Sequence, residues 1–134
     1  MSYLVDTDII IYWLNNTYPS VQKRIEAIDN NIFISSITVA ELYFGAYNSN
    51  KIDDNVKLLD EFTSEVEILP LNRSSGKIFG KIKSELKKVG ETVNDSDLFI
   101  ASIAIDNNLC LVTNNEKHFN RIQNLVIENW VIKE

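Results

Sequence analysis

With 134 residues, 45% of them hydrophobic, the chain is sized for one domain with a substantial core. Its 13 Lys and Arg against 19 Asp and Glu leave a formal net charge of -6, which excludes a broad basic surface that grips nucleic acid unaided. No apolar run reaches the roughly 20 residues of a membrane helix, and the one cysteine, Cys110, has no partner for an internal disulfide.

Tyr3-Leu4-Val5 runs straight into Asp6 and reads as a short buried strand ending at that carboxylate. An apolar run without alternation suits a strand covered on both faces, as in a parallel α/β sheet. Asp6 to Asp8 cap a helix carrying Ile9, Ile10, Ile11, Trp13 and Leu14, which Asn15-Asn16 ends. Ser20, after Tyr18-Pro19, reads as the N-cap of a second helix with Val21, Ile25 and Ile28 at helical spacing, and Asn30-Asn31 as a turn. Ile32-Phe33-Ile34 is a second buried strand, closed by Ser35-Ser36. Helices over 38–47 and 53–64 follow, with Val39, Leu42, Tyr43 and Ala46 inward on the first and Val56, Leu59 and Phe62 on the second; Tyr43 and Tyr47 are assigned to the core. Val66 to Leu69 makes a third strand, stopped by Pro70.

A long helix is expected over Ser74 to Val89, with Ile78, Phe79, Ile82 and Leu86 as its apolar face and Gly90 as its stop. Asn94-Asp95-Ser96-Asp97 opens a helix that is apolar nearly all round through Ile105, the pattern of a helix buried mid-domain. Leu109 to Val112 is a fourth strand with Thr113-Asn114-Asn115 as its terminal loop. A short helix over Glu116 to Arg121 and a last strand over Leu125 to Glu128 complete the chain. Strands alternating with helices specify a three-layer α/β/α sandwich: one domain over 1–134 with a central, mostly parallel sheet of four to five short strands.

In such a sheet ligands sit outside the carboxyl ends of the strands. Asp6, Glu41, Asp97 and the Thr113–Asn115 loop all fall at those ends or in helices leaving them, so they can meet. Clustered carboxylates raise one another's pKa unless a divalent cation intervenes. Oxygen donors without a His or Cys cluster favour Mg2+ or Mn2+, and the matching chemistry is metal-assisted phosphodiester hydrolysis. In an acidic chain the lysines of the long helix, Lys77 and Lys81 foremost, are the candidates for phosphate contacts. Other residues have plainer readings: Asp8 as a cap or a group behind the ligands, His118 as a surface residue, Cys110, Trp13, Trp130 and Phe99 as core or interface.

Four segments in this order carry a family resemblance: Leu4-Val5-Asp6-Thr7-Asp8, Ile37-Thr38-Val39-Ala40-Glu41-Leu42, Asp97-Leu98-Phe99-Ile100-Ala101, and Leu111-Val112-Thr113-Asn114-Asn115 with Phe119. Over nearly its whole length the chain resembles the PIN-domain ribonucleases, in particular the VapC-type toxins of bacterial toxin–antitoxin pairs. The resemblance implies cleavage of RNA, often transfer RNA, by a homodimer that a cognate antitoxin inhibits by placing its tail in the active-site groove; the lack of a membrane-length apolar run or a signal-peptide pattern, with a single cysteine, sets the expectation of a cytoplasmic protein. It implies Asp6, Glu41 and Asp97 as catalytic ligands of Mg2+ or Mn2+, with Asp8 and Thr113 behind them. Where the family often has a fourth acid, two residues after the threonine, this chain has Asn115. That lowers the charge of the site and leaves open one metal or two. It also leaves open whether Asn115 ligates, directly or through water, or whether Asp95 or Glu116 substitutes.

Two other functions compete. Asp6-Thr7-Asp8 also looks like the opening of a haloacid-dehalogenase-type phosphatase, with Asp6 as nucleophile and Asp8 as acid/base, although Ile9-Ile10 replaces the turn that such a site wants. The other is a non-catalytic partner-binding domain of the same fold.

Overall fold

A computed structural model describes residues 2–28 and 31–133. Five short strands, β1 (Tyr3–Val5), β2 (Ile32–Ser35), β3 (Glu67–Leu69), β4 (Cys110–Val112) and β5 (Ile127–Glu128), form one sheet in the order β3-β2-β1-β4-β5. Every pairing is parallel. Helices α1 (Thr7–Leu14) and α2 (Pro19–Ile28) join β1 to β2, and α3 (Ser36–Tyr47) and α4 (Ile52–Glu65) join β2 to β3. Helices α5 (Arg73–Lys88) and α6 (Asp95–Asp106) return the chain to β4, and α7 (Glu116–Phe119) precedes β5. Among the described residues no helix is long and apolar enough to cross a membrane.

Side chains alternate across a strand, so each strand feeds two cores. Val5, Ile34 and Val112 pack with Ile9, Ile10, Val21, Leu42 and Leu59 under α1–α4. Leu4 and Leu111, with Phe33, pack on the other face against Leu98, Ile100, Ile103 and Phe119. Buried on both faces, the strands read as unbroken apolar runs, and the result is the three-layer α/β/α arrangement with a parallel sheet. Helix α6 buries Leu98, Ile100, Ala101, Ser102, Ile103 and Ala104, as its all-round apolar pattern requires. It runs antiparallel to α5: Ser74 bonds Asp106, Phe79 stacks on Phe99 with centroids 4.0 Å apart, and Lys83 pairs with Asp95.

The strand order places the site. From β1 the chain moves outward through β2 to β3, then crosses to the other side of β1 for β4 and β5. The helices leaving β1 and β4 therefore diverge, and a crevice opens between the carboxyl ends of these two strands.

Several expectations shift in detail. Strand β1 ends at Val5; the Asp6 N–H still donates to the Val112 carbonyl at 2.8 Å, while the Asp6 side chain turns to cap α1. Helix α2 begins at Pro19 rather than after a Ser20 cap, because proline's fixed φ suits a first helical position. Helix α7 stops at Phe119 and β5 is two residues long, both shorter than the local pattern suggested. Tyr47 is 61% exposed and not core: α3 leaves one flank uncovered, and Phe44 beside it is 72% exposed. Tyr43 is half-buried, with its hydroxyl on Asp60. Residue 30 of the expected Asn30-Asn31 turn lies outside the described residues. Trp130 and Cys110 are buried and Trp13 packs edge-on against Phe62, as expected of core side chains. Burial, with the Glu128 charge second, pushes the Cys110 thiol up to about 12.

Candidate active site

Asp6 sits at the floor of the crevice, 3% exposed. One carboxylate oxygen accepts from the Thr7 N–H at 2.8 Å, and the other from the Thr113 hydroxyl at 2.8 Å. Thr113 follows β4 directly and is itself buried; its Oγ1 accepts from the Asn115 N–H at 3.0 Å. Burial pushes the Asp6 carboxyl up to about 7; the Asp8 and Asp97 charges add to the rise, and the two hydrogen bonds oppose it. Asp8, in the first turn of α1, is half-buried and accepts from the Ile9 N–H at 2.7 Å and the Asn114 N–H at 3.1 Å. Burial is the main reason its carboxyl also lies above the ordinary range; the Asn114 and Ile9 bonds hold it down, and Asp97 raises it further.

Glu41 reaches the crevice from α3. Ser35 caps that helix by accepting from the Thr38 N–H at 3.0 Å, and Thr38 and Glu41 then lie one turn apart near the sheet. Glu41 accepts from the Thr7 hydroxyl at 2.6 Å and the Ser96 hydroxyl at 3.1 Å, which links α1, α3 and α6. Asp97, in the first turn of α6, accepts from His118 Nδ1 at 2.9 Å. Beside the acids, Ile11, Leu14, Leu42, Leu58 and Leu59 line an apolar groove of about 250 Å3 between α1, α3 and α4, with Glu41 at its edge.

The fold thus draws Asp6, Asp8, Glu41, Asp97 and Thr113 to one end of the sheet, through contacts or through shared charge. The remaining candidates lie apart. The Asn115 side chain is exposed and makes no capping bond. Asp95 is exposed and paired with Lys83 at 2.8 Å, and Glu116 accepts from Asn129 at 3.2 Å. Lys83 and Asn129 thus hold these two acids, and Asp8 is the further acid that shares the field of Asp6. Lys77 is exposed, and Lys81 lines a separate cavity of about 430 Å3 with Leu86 and Arg121. Lys83, whose partner Asp95 is two residues from Asp97, is the lysine of α5 tied to the edge of the acidic cluster. Sequence reasoning missed Thr7, Thr38, Ser96 and the contact of His118. Thr7 and Ser96 each stand next to an acid in a short polar run, the only local signal they had.

Do these residues suit a divalent cation? The donor set is all carboxylate and hydroxyl oxygen, as Mg2+ and Mn2+ prefer. Among the described residues no lysine or arginine pairs with Asp6, Asp8 or Glu41, so their charge has no cationic side chain to offset it. No three His, Cys, Asp or Glu side chains among the described residues are grouped closely enough to hold a metal in their present rotamers. Two of the acids are turned aside, Glu41 toward Thr7 and Ser96 and Asp97 toward His118. The donor chemistry fits, and what a cation has to change is the direction of those side chains.

The PIN domain family model matches residues 3–125. Ribonuclease VapC2 of Rickettsia felis is 41% identical over 132 residues, covering 97% of this chain and 98% of the relative. The tRNA(fMet)-specific endonuclease VapC of Shigella flexneri is 32% identical over 130 residues, covering 97% and 98%. A chain of Rickettsia felis VapBC2 bound to a DNA fragment from their promoter superposes with a TM-score of 0.89 at 40% identity, covering 97% of this chain and 99% of that one. A chain of DNA-bound VapBC from Salmonella typhimurium gives a TM-score of 0.91 at 32% identity, covering 97% and 98%.

Proposed function

Because the chain belongs to the PIN domain family, we propose that it is an endoribonuclease, the toxin of a toxin–antitoxin pair, working with Mg2+ or Mn2+ held by Asp6, Glu41 and Asp97. The observation that carries the metal reading is Asp6: a buried acid made costly to ionise by its burial and by Asp8 and Asp97, with no cationic side chain among the described residues to relieve it. A divalent cation bound there supplies a counter-charge for the scissile phosphate and activates water. The chain's own residues prepare the place. Thr7 and Thr113 orient the two oxygens of Asp6, Asp8 holds the loop after β4, and Thr7 and Ser96 tie Glu41 to α1 and α6 beside it.

Transfer RNA is the proposed substrate, since the Shigella relative is named for it. The proposed protein partner is a cognate antitoxin, as in the VapBC complexes, with its tail in the groove that ends at Glu41. A homodimer is the proposed assembly. Asp8 accepts two backbone N–H groups, and no lysine among the described residues pairs with it or with Asp6, so nothing favours the phosphatase alternative.

The test is cleavage of total RNA by purified protein with Mg2+ or Mn2+ and with chelator, with new 5′ ends mapped by sequencing. Discrete metal-dependent cuts in transfer RNA are expected, and Asp6→Asn or Glu41→Gln should lower their rate at least about a hundredfold while leaving the protein folded. Cleavage by both variants at the parent rate would remove the site assignment.

A further inference from the structure

The family model ends at residue 125, yet the segment after β5 is tied into the fold at several points. Trp130 is buried, edge-on to Tyr3 with centroids 5.2 Å apart, and the Arg24 guanidinium lies 5.1 Å from its ring centroid. Ser20 of α2 donates its hydroxyl to the Trp130 carbonyl at 2.7 Å and accepts the Ile132 N–H at 3.0 Å. Between these anchors and β5 stands Asn129, half-buried, with three hydrogen bonds from its side chain. Its Nδ2 donates to Asn114 Oδ1 at 3.1 Å and to Glu116 Oε2 at 3.2 Å, and its Oδ1 accepts the Val131 N–H at 3.0 Å. The opposite amide orientation would set oxygen against the Glu116 carboxylate and N–H against N–H, so chemistry admits only this one.

The residues that Asn129 holds belong to the loop after β4. In that loop the Asn114 N–H donates to Asp8, and Thr113, whose own N–H donates to the Glu128 carbonyl at 3.0 Å, donates its hydroxyl to Asp6. We propose that Asn129 is a positioning residue of the acidic site, through which the C-terminal strap sets the loop that orients Asp6 and Asp8. The inference rests on the metal reading above. Asn129 touches none of Asp6, Asp8, Glu41 and Asp97; besides its bond to Glu116, it reaches the site through Asn114.

The test reads cation binding without RNA, as the rise in melting temperature over a Mn2+ titration. Asn129→Ala should raise the half-saturating Mn2+ concentration by about tenfold, the lower end of what outer partners of metal ligands contribute. Asn114→Ala cuts the same link from its other end and should do the same; it carries the test should Asn129→Ala fold poorly. The double variant should shift no further than either alone, because one link is broken in all three. Ser20→Ala loosens the far end of the strap and should lower the melting temperature with the Mn2+ midpoint unchanged. A parent-like midpoint in Asn129→Ala, additive shifts in the double variant, or an equal shift in Ser20→Ala overturns the inference while the metal reading stands. A parent protein whose melting temperature ignores Mn2+ overturns both.

Discussion

A carboxyl 3% exposed at the end of β1 is costly to ionise, and the Asp8 and Asp97 charges add to that cost. Its position near 7, above the ordinary 3.8, means that without a cation the folded protein holds a proton that the unfolded chain has released. Stability of the metal-free protein therefore falls as pH rises from about 4 to about 7, and this contribution is flat above that. Thermal melts in chelator check it against Asp6→Asn, which lacks the titration. The variant should melt near the parent at pH 4.5 and on the order of 5 °C above it at pH 7.5, a gap of roughly 1 kcal/mol or more in a domain of this size. Thr113→Val tests the other side of the same contact. It leaves an Asp6 oxygen and the Asn115 N–H without their partner, and should cost about 1–3 kcal/mol in urea unfolding. At this scale the acids were legible, because Asp6 and Asp97 interrupt apolar patterns and so call for a reason. The hydroxyls were not. Thr7 and Ser96 meet Glu41 from 34 and 55 residues away, and His118 meets Asp97 from 21, distances over which no local pattern operates.

Among the elements, α6 shows most directly how an apolar pattern becomes architecture. It packs between the sheet and α5, so both flanks must be apolar, and its polar opening, Asn94 to Asp97, is left at the crevice. Burial of the helix is what fixes where Asp97 and Ser96 stand. Ile103→Ala, at a fully buried position, should lower unfolding free energy by about 2–5 kcal/mol, read by urea denaturation. The loss has this size because sheet and helix both border the cavity. Element boundaries were less legible than element types. Two- and three-residue strands carry too few residues for a period, so β5 came out shorter than its apolar run, and Ser20 was taken for a cap when its hydroxyl serves the C-terminal strap. Tyr47 looked like core because helical spacing tells which residues share a face, not whether another element covers it.

For the whole molecule, the proposed cation site at one end of the sheet carries a prediction about native stability. Adding Mg2+ or Mn2+ should raise the melting temperature and chelator should reverse it, by about 2.7 kcal/mol at a hundredfold excess over Kd. Under the proposed function, the same cation would offset the net charge of -6 where a polyanionic substrate approaches. The amino-acid order alone determined the layer architecture, the buried strands and central helix, and which acids to look for. The architecture follows from local periodicity, Asp6 and Asp97 stand out by the cost of placing a carboxylate in an apolar run, and Glu41 was marked by the family resemblance. Only the tertiary structure decided the strand order, the crevice between β1 and β4, the nearness of Asp8 to Asp6, and the tie from Asn129 to the loop after β4. All but that nearness are meetings of residues remote in sequence, brought together by the crossover of the chain and by the packing of both sheet faces.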